Sequence, residues 1–455
     1  MENLAAQIPY WTIYKKIAFR FAFIFLILFI VFLDYYSNFL TDILYEFAQL
    51  YKLSDIAVFG AGKYLFHIPY TIIKPVWGDH SDSTYIYLLY FLMIATAGFG
   101  AAIWSVLDRK RTHYETLYYW LTVIARYYLA LNLFAFALEK FFKAQFNDLG
   151  LYALTETFGD MSPMGMAYAF FGYSNGYNYF MGIVECAALL LLFRRTMTFG
   201  ALVTLGALAN IMAINYNYDL HAKMYPTVMF VMTIFLLLPH ANRVIKFFFT
   251  NQATSLVVIK APIFKKRWMN ITKVIFKFLV IGFHIIFLTV VYWDDYSYEK
   301  KSAESNSKFY GMYDVESYVV NTDTLSLENP LRWNQFVIGG NLERVRLKSD
   351  SILFMNVSFE KKEILVYRDK MELQINKNEI NEAYDYKVNM DSILVTRQIK
   401  SKLYFELSDS TTLQLKGKVK SDSVFITAQK RPLKIKDFRL MKRGFHWITE
   451  VPYFY

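Results

Sequence analysis

Cysteine is almost missing from this chain: 455 residues contain one, Cys186, inside an apolar run. No intrachain disulfide and no Cys-x-x-Cys redox pair can form, and a thiol in that setting reads as a small buried apolar side chain. Charge is scarce as well. Asp, Glu, Lys and Arg make up 19% of the residues, against roughly a quarter in soluble domains. The seven histidines are scattered, and none has the His-x-x-x-His spacing of a helical metal site. A phosphate-binding glycine loop, a dinucleotide-binding glycine motif and a Gly-x-Ser-x-Gly elbow are all absent. These absences remove the commonest nucleotide-dependent, metal-dependent and serine-hydrolase readings. A cleavable leader is not evident either. The first apolar run is long and lacks small residues after it, so it reads as a signal-anchor helix.

What the chain has in quantity is apolar surface: 55% hydrophobic and 19% aromatic residues. Long apolar runs fill the sequence up to about residue 293, and short alternating ones follow. The first part therefore belongs in a lipid bilayer and the second in water. The net charge of +11 sits mostly at the ends of apolar runs, at Lys15-Lys16, Arg109-Lys110-Arg111, Arg194-Arg195 and Lys265-Lys266-Arg267. That is the pattern of topology signals, and nucleic-acid binding is set aside.

A bilayer core of about 30 Å needs about 20 apolar residues. Seven spans are expected, at 17–33, 84–107, 117–142, 177–193, 197–215, 224–238 and 272–293. The apolar stretch 56–73, interrupted by Gly60, Gly62, His67 and Pro69, reads as interfacial or re-entrant. With the N-terminus in the cytoplasm, every strong basic cluster falls inside and the odd count sends the C-terminal part outside. The location implied is a bacterial inner (cytoplasmic) membrane with a periplasmic C-terminal domain.

After a Ser-, Lys- and Glu-rich linker, strand-sized alternating segments run from 352–359 through 364–367, 371–375, 384–388, 393–395, 403–407 and 413–415 to 424–428. Asp-Ser pairs at 350, 391, 409 and 422 mark the turns between them. The expected fold class is an α-helical integral membrane bundle of about seven helices plus a C-terminal all-β extracytoplasmic domain, a small barrel or sandwich. The divisions are 1–116 (two spans and the interfacial segment), 117–250 (a four-helix core), 251–293 (cytoplasmic loop and last span), 294–308 (linker) and 309–455 (antiparallel β domain). The aromatic tail from Phe445 to Tyr455 is expected to pack on the β domain or at the outer membrane surface.

Charges inside spans are costly, which makes them candidate functional groups. Arg126 and Glu185 lie roughly 13 Å and 12 Å inside their spans by helical rise. An ion pair between them would explain both, whether it serves function or only joins two helices. Lys140 shares a helix face with Arg126, and Asn210 lies late in the fifth span. Gln145, Asn215, Tyr218, Asp219, Lys223 and Asp82 fall at the outer ends and form a candidate polar mouth, with an ordinary solvated loop as the plainer account. Arg20, close to Lys16, can snorkel to the interface and is given no role. No metal ligands are assigned.

The stretch from Arg126 to about Phe249 resembles the DoxX-like family of small four-helix membrane proteins. The resemblance rests on Arg126-Tyr-Tyr-Leu-Ala-Leu, Glu139-Lys140, Gln145-Phe146, Gly172-Tyr-Ser174, Phe180-Met-Gly182-Ile-Val-Glu185, Arg194-Arg195-Thr196, and Asn210 with Asn215-Tyr-Asn-Tyr218-Asp219 and Lys223. It adds Ser174 to the outer mouth. Named members include a thiosulfate:quinone oxidoreductase subunit, so the resemblance implies a quinone- or thiol-related ligand and a redox-accessory role. This chain adds three spans and a β domain, and has no cysteine pair. The competing expectation is a non-enzymatic envelope anchor that presents the β domain to a partner. Transport is less supported, since the spans show no inverted repeat. The cofactor is open, with quinone as one candidate. The expected partners are the bilayer and either an envelope protein or a small lipophilic ligand.

Overall fold

Inside a bilayer no water is present to bond backbone N–H and C=O groups, so apolar runs of this length satisfy themselves as helices. The computed structural model describes residues 11–33, 50–70, 72–75, 81–250, 252–253, 255, 266–339, 343–367, 401–419 and 422–442. The expectations for 371–375, 384–388, 393–395, Asp391-Ser392 and the tail lie outside these residues. Two compact units emerge: 1–147 with 163–294, and 148–162 with 295–455.

In the helical unit, α1 (Ile13–Phe32) starts at Thr12, whose hydroxyl accepts the N–H of Lys15 at 3.3 Å. Helix α2 (Leu50–Gly60) runs into a π-helical turn, Ala61–Leu65. Helix α3 (Thr84–Leu107) is capped by Ser83, which accepts from Ile86 N. Then come α4 (Glu115–Phe141), α5 (Pro163–Tyr173) and α6 (Asn175–Cys186), the last continued by a 3-10 helix, Ala187–Leu192. Helix α7 (Met197–Asn217), α8 (Met224–Leu237), α9 (Ala241–Phe249) and α10 (Arg267–Asn306) complete the set.

Among the described residues, five helices are long and apolar enough to cross a membrane: α3, α4, α7, the joined α8–α9 and α10. The other two expected spans are built differently. Helix α1 has 20 residues but carries Lys15, Lys16 and Arg20 near its start. The fourth has 12 α-helical and 6 3-10 residues. At about 1.5 and 2.0 Å per residue these add to about 30 Å, the thickness of the hydrocarbon layer. Helix α4 is central: 78% of its apolar window is buried, against 17% for α10. Its Leu121, Leu129 and Leu133 pack in one core with Phe29, Tyr90, Leu191, Leu208 and Met229.

The second unit is an antiparallel meander that closes on itself. Its strands are β1 (Gly311–Val320), β2 (Asp323–Thr324), β3 (Trp333–Ile338), β4 (Glu343–Leu347), β5 (Ile352–Ser358), β6 (Glu363–Tyr367), β7 (Ser401–Leu407), β8 (Thr412–Val419) and β9 (Asp422–Lys430). Each pairs with its neighbour in the order β2-β1-β3-β4-β5-β6-β7-β8-β9, and β1 also pairs with β9, so the ring is a barrel rather than a sandwich. Strands β1, β3 and β4 go beyond the alternating segments found in the sequence. Charged residues interrupt the pattern of β1 and β4, as in Glu343-Arg344-Val345-Arg346-Leu347, and β3 opens on Trp333-Asn334-Gln335. Alternate side chains fill the interior: Tyr313, Phe336, Ile338, Val345, Leu403, Leu413, Leu415 and Ile426 are each fully buried. The Asp-Ser turns behave as their chemistry implies. Asp350 takes a positive φ of 61°. Asp409 accepts from Thr411 N, Thr411 Oγ1 and Thr412 N, bonds that hold its carboxyl down at about 2.

Segment 148–162 belongs to this unit although it lies between two helices of the other. Leu151, in the helical turn Leu151–Leu154, packs with Met312 and Val337. Arg344 donates to Thr155 Oγ1 at 2.9 Å and sits 4.9 Å from the Tyr152 ring, while Arg346 lies 3.6 Å from Asp160.

Gly417 on β8 lies opposite Leu403 on β7, with no space for a side chain. A Cβ there would lie 2.2 Å from the Lys402 carbonyl oxygen, whereas one at Gly311 would meet only the flexible Lys430 side chain. Gly417→Ala is therefore expected to cost about 1–3 kcal/mol and Gly311→Ala clearly less. Thermal unfolding of the two purified variants checks the order.

Candidate functional site

The ends of α4 and α6 hold a buried ion pair. Lys140 Nζ lies 3.0 Å from Glu185 Oε2, with both side chains about 95% shielded (6% and 5% exposed). The ammonium also donates to Gln145 Oε1 at 2.8 Å and to the Phe136 carbonyl at 3.3 Å, and the rings of Phe136 and Phe146 both stand 5.8 Å away. The approach depends on Gly182, where a Cβ would meet the Phe141 ring at 2.6 Å. Glu185 Oε2 lies within ion-pair distance of the ammonium but off the direction of a good hydrogen bond, and it has no other protein partner among the described residues.

Glu185 therefore pairs with Lys140, and the expected Arg126–Glu185 pair does not form. Arg126 lies almost four turns back along α4 and donates Nε to the Leu191 carbonyl at 2.6 Å. Asn210 does not join a buried network either, because it is exposed. It stands about 200° around α7 from the buried Leu208, at about 100° per residue.

The outer-mouth residues meet in part, and they act on backbone. Asp82 accepts the N–H groups of Lys223 (2.9 Å) and Met224 (3.3 Å), so its carboxylate caps the start of α8, and Lys223 Nζ lies 3.5 Å away. Asp219, at a positive φ of 53°, pairs with Lys223 at 2.8 Å. That bond raises the Lys223 ammonium and lowers the Asp219 carboxyl from their ordinary values. Asn215 donates to the Ala222 carbonyl at 2.7 Å, closing the same turn. Tyr218 is exposed, and Ser174 caps α6 through Tyr177 N. Gln145 belongs with Lys140 instead.

Several polar joints escaped the sequence reading. Arg20 is 3% exposed and donates to Tyr114 OH twice (2.9 and 2.7 Å), Ser105 Oγ (2.8 Å) and the Asp108 carbonyl (3.0 Å). Tyr128, Tyr225 and Asn132 form a buried chain that ends on the Leu33 carbonyl. Buried Asp55 accepts from Lys74 and Tyr85. No hydropathy signal marks a tyrosine as bonded. Asp55 and Lys74 flank the apolar stretch 56–73 rather than lie inside it. Among the described residues, no group of three His, Cys, Asp or Glu side chains could hold a metal ion.

No family model matches the chain, and no solved structure does. The chain is 36% identical over 115 residues to the uncharacterized protein YwoB of Bacillus subtilis (strain 168), a stretch that is 25% of this chain and 71% of YwoB. The chain belongs to the YwoB family. The remaining three quarters of the chain lie beyond that stretch, and the name YwoB carries no activity to set beside the geometry.

Three outcomes follow from these contacts. Lys140→Met alone strands a buried carboxylate and is expected to cost about 3–5 kcal/mol, while Lys140→Met with Glu185→Gln costs much less than the sum of the single changes. Thermal unfolding in detergent of the four proteins of the cycle measures this. Asp82→Ala removes the α8 cap and is expected to lose about 0.5–2 kcal/mol, with Asp82→Asn losing less. In the barrel, Glu343 shares the inward face of β4 with Val345 and Leu347, and burial pushes its carboxyl up to about 8 from 4.5. The folded state thus holds a proton that the unfolded chain releases. The contribution of Glu343 to stability is greatest below about 4.5 and falls as pH rises towards 8. Unfolding temperatures measured across that window should fall in the parent protein and fall less in Glu343→Gln.

Proposed function

We propose that this chain is a membrane scaffold: about seven helices anchor a closed β-barrel outside the cytoplasmic membrane and present it to a partner in the cell envelope. The observation that carries this reading is segment 148–162, which leaves the end of α4, packs into the barrel unit through Leu151, Tyr152 and Thr155, and returns to α5. The barrel is thus tied to the membrane part at two places along the chain. Parity supports the span count. A loop and a barrel that fold together share one side of a membrane, so the chain between them crosses an even number of times. Helices α7, α8–α9 and α10 supply three crossings, and α6 with its 3-10 extension is the natural fourth. With α1, α3 and α4 the count is seven. The basic clusters then favour a cytoplasmic N-terminus and an outward barrel. Because side chains fill the barrel interior, its outer surface and rims are what a partner would meet.

A second reading keeps the DoxX-like core, 117–250, as a site for a quinone- or thiol-related ligand in a redox-accessory role. It is favoured by the buried Lys140–Glu185 pair and by the poorly satisfied Glu185 Oε2. The two readings part on one experiment in a host strain with a deletion phenotype. Under the scaffold reading, Lys140→Met/Glu185→Gln restores growth while removal of 311–442 does not. The reverse pattern, with a quinone recovered by mass spectrometry of lipid extracts, would establish the ligand reading instead.

A further inference from the structure

The turn joining α6 to α7 gathers positive charge that pairs with no carboxylate among the described residues. The 3-10 helix ends at Leu192, and its last carbonyls lack helical partners. Two cations from other helices bond them: Arg126 Nε to Leu191 O at 2.6 Å, and Lys277 Nζ to Leu192 O at 2.7 Å. Just past the turn, Arg194 donates Nη2 to Tyr119 OH at 3.0 Å. Arg126 and Arg194 both repel Lys277, and Arg194 repels Arg126, so the three lie within electrostatic reach of one another.

Every partner of this trio is neutral: two carbonyls, the Tyr119 phenol, and the Phe193 ring, 5.2 Å from Lys277 Nζ. Among the described residues none of the three forms an ion pair. Arg126 is 3% exposed, and its two Nη groups make no hydrogen bond to any described residue. A guanidinium shielded to this degree, within electrostatic reach of two further cations and of no described carboxylate partner, is poorly compensated. Carbonyl dipoles offset part of one charge, not three.

We propose that Arg126, Arg194 and Lys277 hold the phosphate of an anionic membrane lipid. The three donor sets suit a tetrahedral oxyanion that accepts from several sides. A lipid source is favoured over a soluble one because Lys277 belongs to α10, the span whose side chains are left most open to the bilayer. On the same face of α10, three, seven and ten residues earlier, Val274, Asn270 and Arg267 line a shallow depression with room for the rest of a headgroup. The neighbouring Arg195 is exposed and adds to the attraction.

Native mass spectrometry of the full-length protein, titrated separately with phosphatidylglycerol, phosphatidylcholine and inorganic phosphate, tests the assignment. Phosphatidylglycerol is expected to bind about tenfold or more tighter than phosphatidylcholine. Lys277→Gln and Arg194→Gln, which keep a hydrogen-bond donor and lose the charge, are each expected to weaken phosphatidylglycerol about fivefold and to leave phosphatidylcholine unchanged. Both positions are partly exposed, so they keep the test open if Arg126→Gln fails to fold. Equal binding of the two lipids, or an unchanged preference in both variants, would overturn the proposal. Inorganic phosphate binding as tightly as phosphatidylglycerol would overturn it too, by assigning the cluster to a soluble anion.

Discussion

Hydrocarbon offers no partner to a backbone carbonyl, and this constraint governs how the helical unit is put together. It is most acute at Leu191 and Leu192, where the fourth expected span stops being helical. Twelve α-helical residues are too few to cross, and the 3-10 continuation stretches the chain while leaving its last carbonyls open. Side chains from α4 and α10 close them. Those two bonds fix the turn against the central helix. Gly200, at the start of α7, has no room for a Cβ, which would meet Leu190 Cβ and the Leu190–Leu191 backbone. One local shortage of backbone partners thus sets the packing of four helices.

The same economy recurs at the other polar positions. Asp82 caps α8 from a distant part of the chain, Asn215 closes the α7–α8 turn, and Arg20 ties α1 to the end of α3 and to Tyr114. In the barrel, buried Arg332 donates to the carbonyls of Leu325, Val315 and Glu316. Each of these groups is satisfied by backbone or by a neighbouring side chain, an arrangement that contributes about 1–3 kcal/mol where the group is charged. Charge inside an apolar segment is therefore, in this molecule, mostly a joint between elements. That weakens the general presumption that intramembrane polar residues mark chemistry.

How far the sequence could be read follows from the range of the interactions involved. Hydropathy is a sum over one segment, so the five apolar helices and the strands from β5 onward stood out from local pattern alone. Strand β4 did not, because Arg344 and Arg346, on the face opposite Val345 and Leu347, are covered by Tyr152, Thr155 and Asp160, almost two hundred residues away in sequence. Partner choice is also non-local. Arg126 and Glu185 have similar depths along their own helices, yet depth does not give rotation or direction of approach, and Lys140 is the cation that reaches the carboxylate. Lys277 was as visible as Arg126, a lysine within an apolar run, but its purpose appears only once the Leu192 carbonyl is known to be open. The membership of 148–162 in the barrel unit had no local signal at all.

The Lys140–Glu185 pair is best understood through where it sits along the chain. Helix α4 ends immediately after it: Lys143 takes a left-handed φ of 55°, and Ala144 N bonds the Glu139 carbonyl at 2.8 Å. Gln145, bonded to Lys140, comes three residues before Asp148, where the chain enters the barrel unit. A buried ion pair adds little net stability compared with an apolar pair of the same shape, but it discriminates strongly against other registers, because sliding α4 past α6 would strand both charges. Such a device is useful where a direction must be fixed. On the scaffold reading it fixes the end of the helix from which segment 148–162 departs. The scaffold reading accounts for the Lys140–Glu185 pair as an alignment element, without a ligand.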